Sequence, residues 1–233
     1  MPERRHRSSD ASRFFTRMLE RYRDRTTDAL LGLVPERGAP YLYDLVGAYP
    51  RRLGKGLRAA LCLATCEALG GNARRALNSA VAIELFHNAF LIHDDVQDQS
   101  VLRRGGSTLT AEYGPAIAVN VGNAANVMAL QRLIENRLVL GAPLSSRLVA
   151  ETERMLLHTL EGQALELAWI RDNVCDLEDA DYLHMCLKKT SWYSFIYPMR
   201  VGALIAEGTV DHQRFCRFGW YLGAAFQIQD DIL

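Results

Sequence analysis

The chain has 233 residues, 49% hydrophobic and 23% charged, enough for one sizeable core, which excludes a polypeptide disordered beyond its ends. Lys+Arg and Asp+Glu both number 27, so whole-molecule attraction to nucleic acid or an anionic surface is excluded and any phosphate binding must be local. Charged or polar groups interrupt every apolar run before the roughly 18 residues of a membrane span, so no stable membrane insertion is expected.

Residues 1–12 are Arg- and Ser-rich with no apolar run behind them, which reads as a disordered tail rather than a secretory signal. Residues 13–233 read as one all-α domain, since helical periodicity dominates and strand alternation is absent. The spacing predicts helices over Asp10–Leu33, Gly56–Leu69, Asn72–Gln97, Pro115–Leu140, Ser145–Arg171, Glu178–Lys188, Ser191–Ile205 and Asp211–Leu233. Gly70-Gly71, Arg104-Gly105-Gly106, Gly141-Ala142-Pro143 and Glu207-Gly208 are stop signals, and Ser9, Asp10 and Asp176 are candidate N-caps. Several helices are apolar over most of their circumference, so a bundle with buried central members is expected. The five cysteines form no CxxC, and their odd number and apolar neighbours predict buried reduced thiols and a cytoplasmic address. The last residues, Asp230-Asp231-Ile232-Leu233, have neither cap nor polar tail, and that ending reads as a cut.

Two acidic clusters end long apolar helical runs: Asp94-Asp95-Val96-Gln97-Asp98 and Asp230-Asp231. Buried carboxylates stay ionised only against strong counter-charge. Mg²⁺ takes one or two carboxylates and completes its shell with water and phosphate oxygens, so such pairs suit a Mg²⁺ diphosphate complex. Asp94 and Asp98 share a helix face, and His87 lies two turns earlier, ~10.5 Å along the axis. The competing readings are a solvated helix end and a packed core histidine. Arg103-Arg104 before a glycine turn suits an anion that takes both guanidinium forks and metal; a salt bridge from Arg103 to Asp98 is the alternative. Lys55 and Arg58 fall near a predicted helix start, where free N–H groups also favour phosphate, although most basic loops are merely solvated. Lys55, Lys188 and Lys189 are the only lysines in an otherwise arginine-rich chain.

The ordered set GKxxR, FHxxxLIHDDxxD, RRG, GQxxE, KT and FQxxDD, from about Leu53 onward, resembles the trans-isoprenyl diphosphate synthase (polyprenyl synthetase) family. The resemblance implies the helical isoprenoid synthase fold, with C-terminal helices missing here, and a usual homodimer. It implies that Asp94, Asp95, Asp98, Asp230 and Asp231 hold Mg²⁺ on an allylic diphosphate contacted by Arg103, Lys189, Thr190 and Gln163. Lys189 and Gln227 would stabilise developing charge. Lys55, Arg58, His87 and Arg104 would bind isopentenyl diphosphate, and the pair Ala89 and Phe90 would limit product length, here towards farnesyl or geranylgeranyl diphosphate. Ala82 and Phe86 are further candidates for a dry wall along the growing chain. The chain departs from the pattern at Gly56 and Ala59, where the family writes a basic residue and proline, and at Glu166 and Asn123, where it writes Asp.

Three other readings compete. A class I terpene cyclase on the same scaffold would ionise one diphosphate and need no second diphosphate site. A non-catalytic subunit or fragment would suit the missing helices. A His-Asp phosphohydrolase would use His93-Asp94 but needs no second acidic pair, which leaves His93 a hydrogen-bonding or packed residue beside the site.

Overall fold

A computed structural model describes residues 3–36, 38–52 and 54–232, with the side chains of 3–11 and 212 left aside. Helices α1 (Glu3–Leu31), α2 (Tyr43–Val46), α3 (Ala48–Arg51), α4 (Leu57–Ala68) and α5 (Ala73–Gln97) precede a hairpin of β1 (Leu102–Arg103) and β2 (Gly106–Ser107). There follow α6 (Leu109–Tyr113), α7 (Pro115–Leu140), α8 (Ala142–Asp172), α9 (Asp179–Cys186), a π-helical segment (Leu187–Ile196), α10 (Tyr197–Glu207) and α11 (His212–Ile232). The all-α class expected from periodicity is the class observed. None of the described helices is long and apolar enough to cross a membrane.

Differences from expectation lie at ends and in short elements. Helix α1 starts at Glu3, so residues 3–12, expected as a tail, are helical; no Gly or Pro interrupts Glu3–Leu31, and its Arg, Glu, Leu and Met favour helix. Met1, Leu53 and the chain end at Leu233 lie outside the described residues. Helix α8 begins three residues before Ser145 because Pro143 is tolerated in a first turn. Helix α9 is capped not by Asp176 but by Glu178, in a reciprocal capping box with Asp181. The hairpin closes through Arg104 (φ 51°) and Gly105 (φ 74°), a primed turn whose twist matches two antiparallel strands. Of the five cysteines only Cys62, Cys66 and Cys186 are buried; Cys175 is exposed and Cys216 half-buried, and all five are unbridged.

The chain divides into two compact units, residues 1–60 with 77–132, and residues 61–76 with 133–233. In the first, the core of α5 is lined by Val81, Ile83, Leu85, Phe86 and Ile92. Gly122 of α7 lies against His93, whose Nε2 would be 2.4 Å from a Cβ there, so His93 is a packed residue. Asn123 beside it is exposed.

In the second unit the π segment packs against α8, α9, α10 and α11. Its wide winding is marked by the Tyr197 N–H donating to the Trp192 carbonyl, five residues back. Three glycines permit its close packing. A Cβ at Gly162 of α8 would fall 2.2 Å from the Lys189 nitrogen, at Gly219 of α11 2.5 Å from Ile196 Cγ1, and at Gly223 2.1 Å from Ser191 Oγ. Fully buried Arg200 of α10 forms a bidentate pair with Glu151 of α8, at 2.8 and 2.7 Å.

Candidate active site

Helix α5 and the hairpin bring most of the expected first-unit residues together. Asp95 is fully buried, although it belongs to the cluster expected to bind metal. Its Oδ2 accepts the Tyr49 hydroxyl at 2.5 Å, and its Oδ1 accepts Arg103 Nε and Nη2 at 2.9 and 2.6 Å. The Leu109 N–H in turn donates to the Tyr49 oxygen at 3.1 Å. Arg103 is therefore ion-paired, with Asp95 rather than Asp98. Asp94 is half-buried and Asp98 exposed.

Arg58, His87 and Arg104 form a second cluster. Guanidinium nitrogens of Arg58 and Arg104 lie 3.3 and 3.5 Å from His87 Nε2, and Arg104 Nη1 donates to the Tyr49 carbonyl at 3.0 Å. Burial first, then Arg58, Arg104 and Arg103, hold His87 well below its usual 6.5, so the ring is neutral and a nitrogen facing a guanidinium accepts. Glu84, one turn earlier on α5, accepts the Ala59 N–H at 3.3 Å; burial raises its carboxyl while Arg58 and Arg104 pull it down. Lys55 is exposed. The Arg104 guanidinium lies over Gly54, where a Cβ would be 2.5 Å from Nη2. Gly56 has φ 62°, and a Cβ there would fall 2.7 Å from Arg23 Cγ, so the departure from a basic residue meets a backbone requirement.

The His87 shift has a sign that can be checked. Its folded pKa is depressed, so below about pH 6.5 the unfolded chain takes a proton that folded His87 refuses, and stability falls as pH drops by up to ~1.4 kcal/mol per pH unit. We expect urea midpoints to fall further between pH 8 and pH 5.5 in the wild type than in His87→Asn. Equal falls would contradict the assignment.

The second unit orders another polar chain. The Thr190 hydroxyl donates to Gln227 Oε1, which aims Gln227 Nε2 at Asp231 Oδ1, 2.7 Å away; Asp231 Oδ2 accepts the Tyr182 hydroxyl at 2.5 Å. Lys189 is ion-paired with Glu166, so the longer acid of GQxxE reaches the lysine of KT, and Lys188 pairs with Glu161 at 2.5 Å. Thr190 is buried, Lys189 and Gln163 are half-buried, and Asp230 and Asp231 are exposed. Among the proposed wall residues, Ala82, Phe86 and Ala89 are fully buried in the core and Phe90 is half-buried.

Mg²⁺ is the metal that the motif resemblance implies. Among the described residues no three acidic, His or Cys side chains form a ready cage. The donors nonetheless fit a hard cation that takes one or two carboxylates and otherwise water and phosphate: Asp94 and Asp98 lie one turn apart towards solvent, and Asp230 is exposed. Sequence reasoning missed Tyr49, Tyr182, Glu84 and Arg52. Arg52 Nη1 donates to the Arg103 and Ser107 carbonyls at 3.1 and 2.7 Å and so clamps the hairpin.

The polyprenyl synthetase family model matches residues 39–233. The chain belongs to that family. Geranylgeranyl pyrophosphate synthase of Geoglobus acetivorans is 31% identical over 204 residues, 86% of this chain and 62% of that protein. Geranylgeranyl diphosphate synthase of Sulfolobus acidocaldarius is 33% identical over 181 residues, 77% of this chain and 54% of the relative. The crystal structure of geranylgeranyl pyrophosphate synthetase from Pyrococcus horikoshii has a TM-score of 0.86 at 29% identity, covering 96% of this chain and 67% of that one. The chain thus spans between half and two thirds of the length of these two curated relatives.

Proposed function

We propose that the chain carries the site of a Mg²⁺-dependent prenyltransferase, which joins isopentenyl diphosphate to an allylic diphosphate and yields a linear product one isoprene unit longer. The observation that carries this reading is the Arg58–His87–Arg104 cluster. Two guanidiniums on a neutral imidazole form a cationic cluster separate from the Asp94–Asp98 acids, and a second diphosphate is the ligand that such a cluster suits. A cyclase has no second diphosphate to place there. Curated relatives named geranylgeranyl diphosphate synthases support the same chemistry and a product of farnesyl or geranylgeranyl length.

In this mechanism Asp94 and Asp98 of the first unit would hold a cation that neutralises the departing diphosphate, and Asp230 is the acid that the second unit offers to a cation. Arg103, oriented by Asp95, donates to that diphosphate. Lys189 and Gln227, on the second unit, stabilise charge as the allylic C–O bond breaks. Arg58, Arg104 and Lys55 hold isopentenyl diphosphate so that its double bond attacks the allylic carbon; a C–C bond forms and one proton leaves to the released diphosphate. Phe90 remains the candidate limit on chain growth, since Ala82, Phe86 and Ala89 are committed to packing. A homodimer and a cytoplasmic address accompany this reading, supported by family membership and the unbridged cysteines.

The test is product analysis with Mg²⁺, isopentenyl diphosphate and each allylic starter, alongside Phe90→Ala. We expect linear diphosphates, longer in the variant. A cyclised hydrocarbon formed from the allylic diphosphate alone would overturn the reading, and an unchanged product distribution would remove Phe90 from it.

A further inference from the structure

The two acidic pairs are built alike, each within its own unit. In both, the second carboxylate accepts a tyrosine hydroxyl at 2.5 Å on one oxygen and a nitrogen donor on the other. Asp95 takes Tyr49 and Arg103, while Asp231 takes Tyr182 and Gln227. Short O–H···O⁻ bonds of this kind are charge-assisted and strongly directional. At the second pair the direction is set further back: buried Thr190, on the π segment, occupies Gln227 Oε1 and leaves only Nε2 for Asp231.

Consecutive helical residues project about 100° apart, so anchoring Asp231 to α9 holds that turn of α11 and with it the direction in which the Asp230 side chain leaves the helix. A cation that needs only one or two protein carboxylates can be served at either pair by a single acid, with water and phosphate oxygens completing its shell. Resting on the function proposed above, we propose that Tyr182 is a positioning residue: its hydroxyl holds Asp231 against Gln227 and thereby presents Asp230 as the metal-binding carboxylate of the pair. Tyr49 and Arg103 hold Asp95 in the same relation to Asp94. Tyr182 lies outside every motif of the family resemblance, four residues into α9, and reaches Asp231 across 49 positions of sequence.

The experiment measures, by titration calorimetry on the full chain, the Mg²⁺ concentration that half-saturates binding of an unreactive allylic thiolodiphosphate. The proteins are the wild type, Tyr182→Phe, Asp231→Asn, the double variant and Asp230→Asn. Tyr182→Phe and Asp231→Asn are each expected to raise that concentration about tenfold, as loss of a support behind a ligand does. The double variant is expected to be no worse than Asp231→Asn, because both remove one interaction. Asp230→Asn is expected to raise it about a hundredfold, consistent with loss of a direct ligand rather than its support. The three single variants alter side chains that reach solvent, and urea midpoints within experimental error of the wild type verify folding; should Tyr182→Phe fail that check, the ranking of Asp231→Asn against Asp230→Asn decides. Multiplying losses in the double variant, or equal losses at Asp230 and Asp231, overturn the clamp and leave the prenyltransferase reading standing. A wild type that binds the analogue without Mg²⁺, or not at all, overturns the metal assignment itself.

Discussion

Asp94→Ala is expected to abolish product formation at a small cost in unfolding midpoint, and Asp95→Ala to lower both, the midpoint by much more. The two aspartates are adjacent in sequence and opposite in setting. Asp95 is fully buried, and its loss leaves the Tyr49 hydroxyl and the Arg103 guanidinium without their shared acceptor. Breaking a buried pair costs roughly 3–5 kcal/mol; because 31% of the Arg103 side chain stays exposed, about 2–3 kcal/mol is the expected loss. Asp94, half-buried at the solvent end of α5, is the acid assigned to the cation, and a rate loss of about a thousandfold or more corresponds to the ~4 kcal/mol that strong electrostatic stabilisation of a departing charge supplies. Urea unfolding paired with product assays checks both halves. Equal destabilisation by the two substitutions would remove the distinction, and undiminished turnover in Asp94→Ala would remove the metal assignment.

Arg200→Ala is expected to be the most damaging single substitution in the second unit. The guanidinium has no solvent exposure, and both Glu151 oxygens accept from it. Truncation opens a cavity and strands Glu151, which is only 12% exposed, at an expected cost of about 3–5 kcal/mol, a large part of the stability of a typical domain. Denaturant titration of Arg200→Ala beside Arg200→Met separates the terms: Met restores volume but not charge, so it should recover only part of the loss. Full recovery by Met would mean that packing, not the ion pair, accounts for the effect.

The long helices were legible because their apolar residues recur at helical spacing, and Pro115–Leu140 was bounded correctly to the residue. The small elements were not. A ladder of two-residue strands carries no alternation to detect, and its turn puts an arginine at positive φ, where glycine or asparagine is the usual signal. The π segment was expected as ordinary helix, since nothing in Leu187–Ile196 distinguishes five-residue from four-residue winding; the glycines at 162, 219 and 223 were the only trace, and they lie in other elements. Motif order named the acids, cations and glutamines as candidates, but treated Asp95 as equivalent to Asp94. Burial separates them, and Tyr49, 46 positions away, has no local sign of its role. Arg58, His87 and Arg104 were assigned together by resemblance, and the structure does place them in contact.

The wide turn before α10 makes the length of its segment as consequential as its chemistry. Inserting a further residue there, with no second wide turn to absorb it, would rotate everything downstream by about 100°. Arg200 would swing away from Glu151, and Ile196 would lose its seat on Gly219. Point changes at solvent-facing positions of this stretch are therefore tolerable where indels are not, and a fixed residue count between Lys189 and Arg200 is the inheritance such a chain must keep.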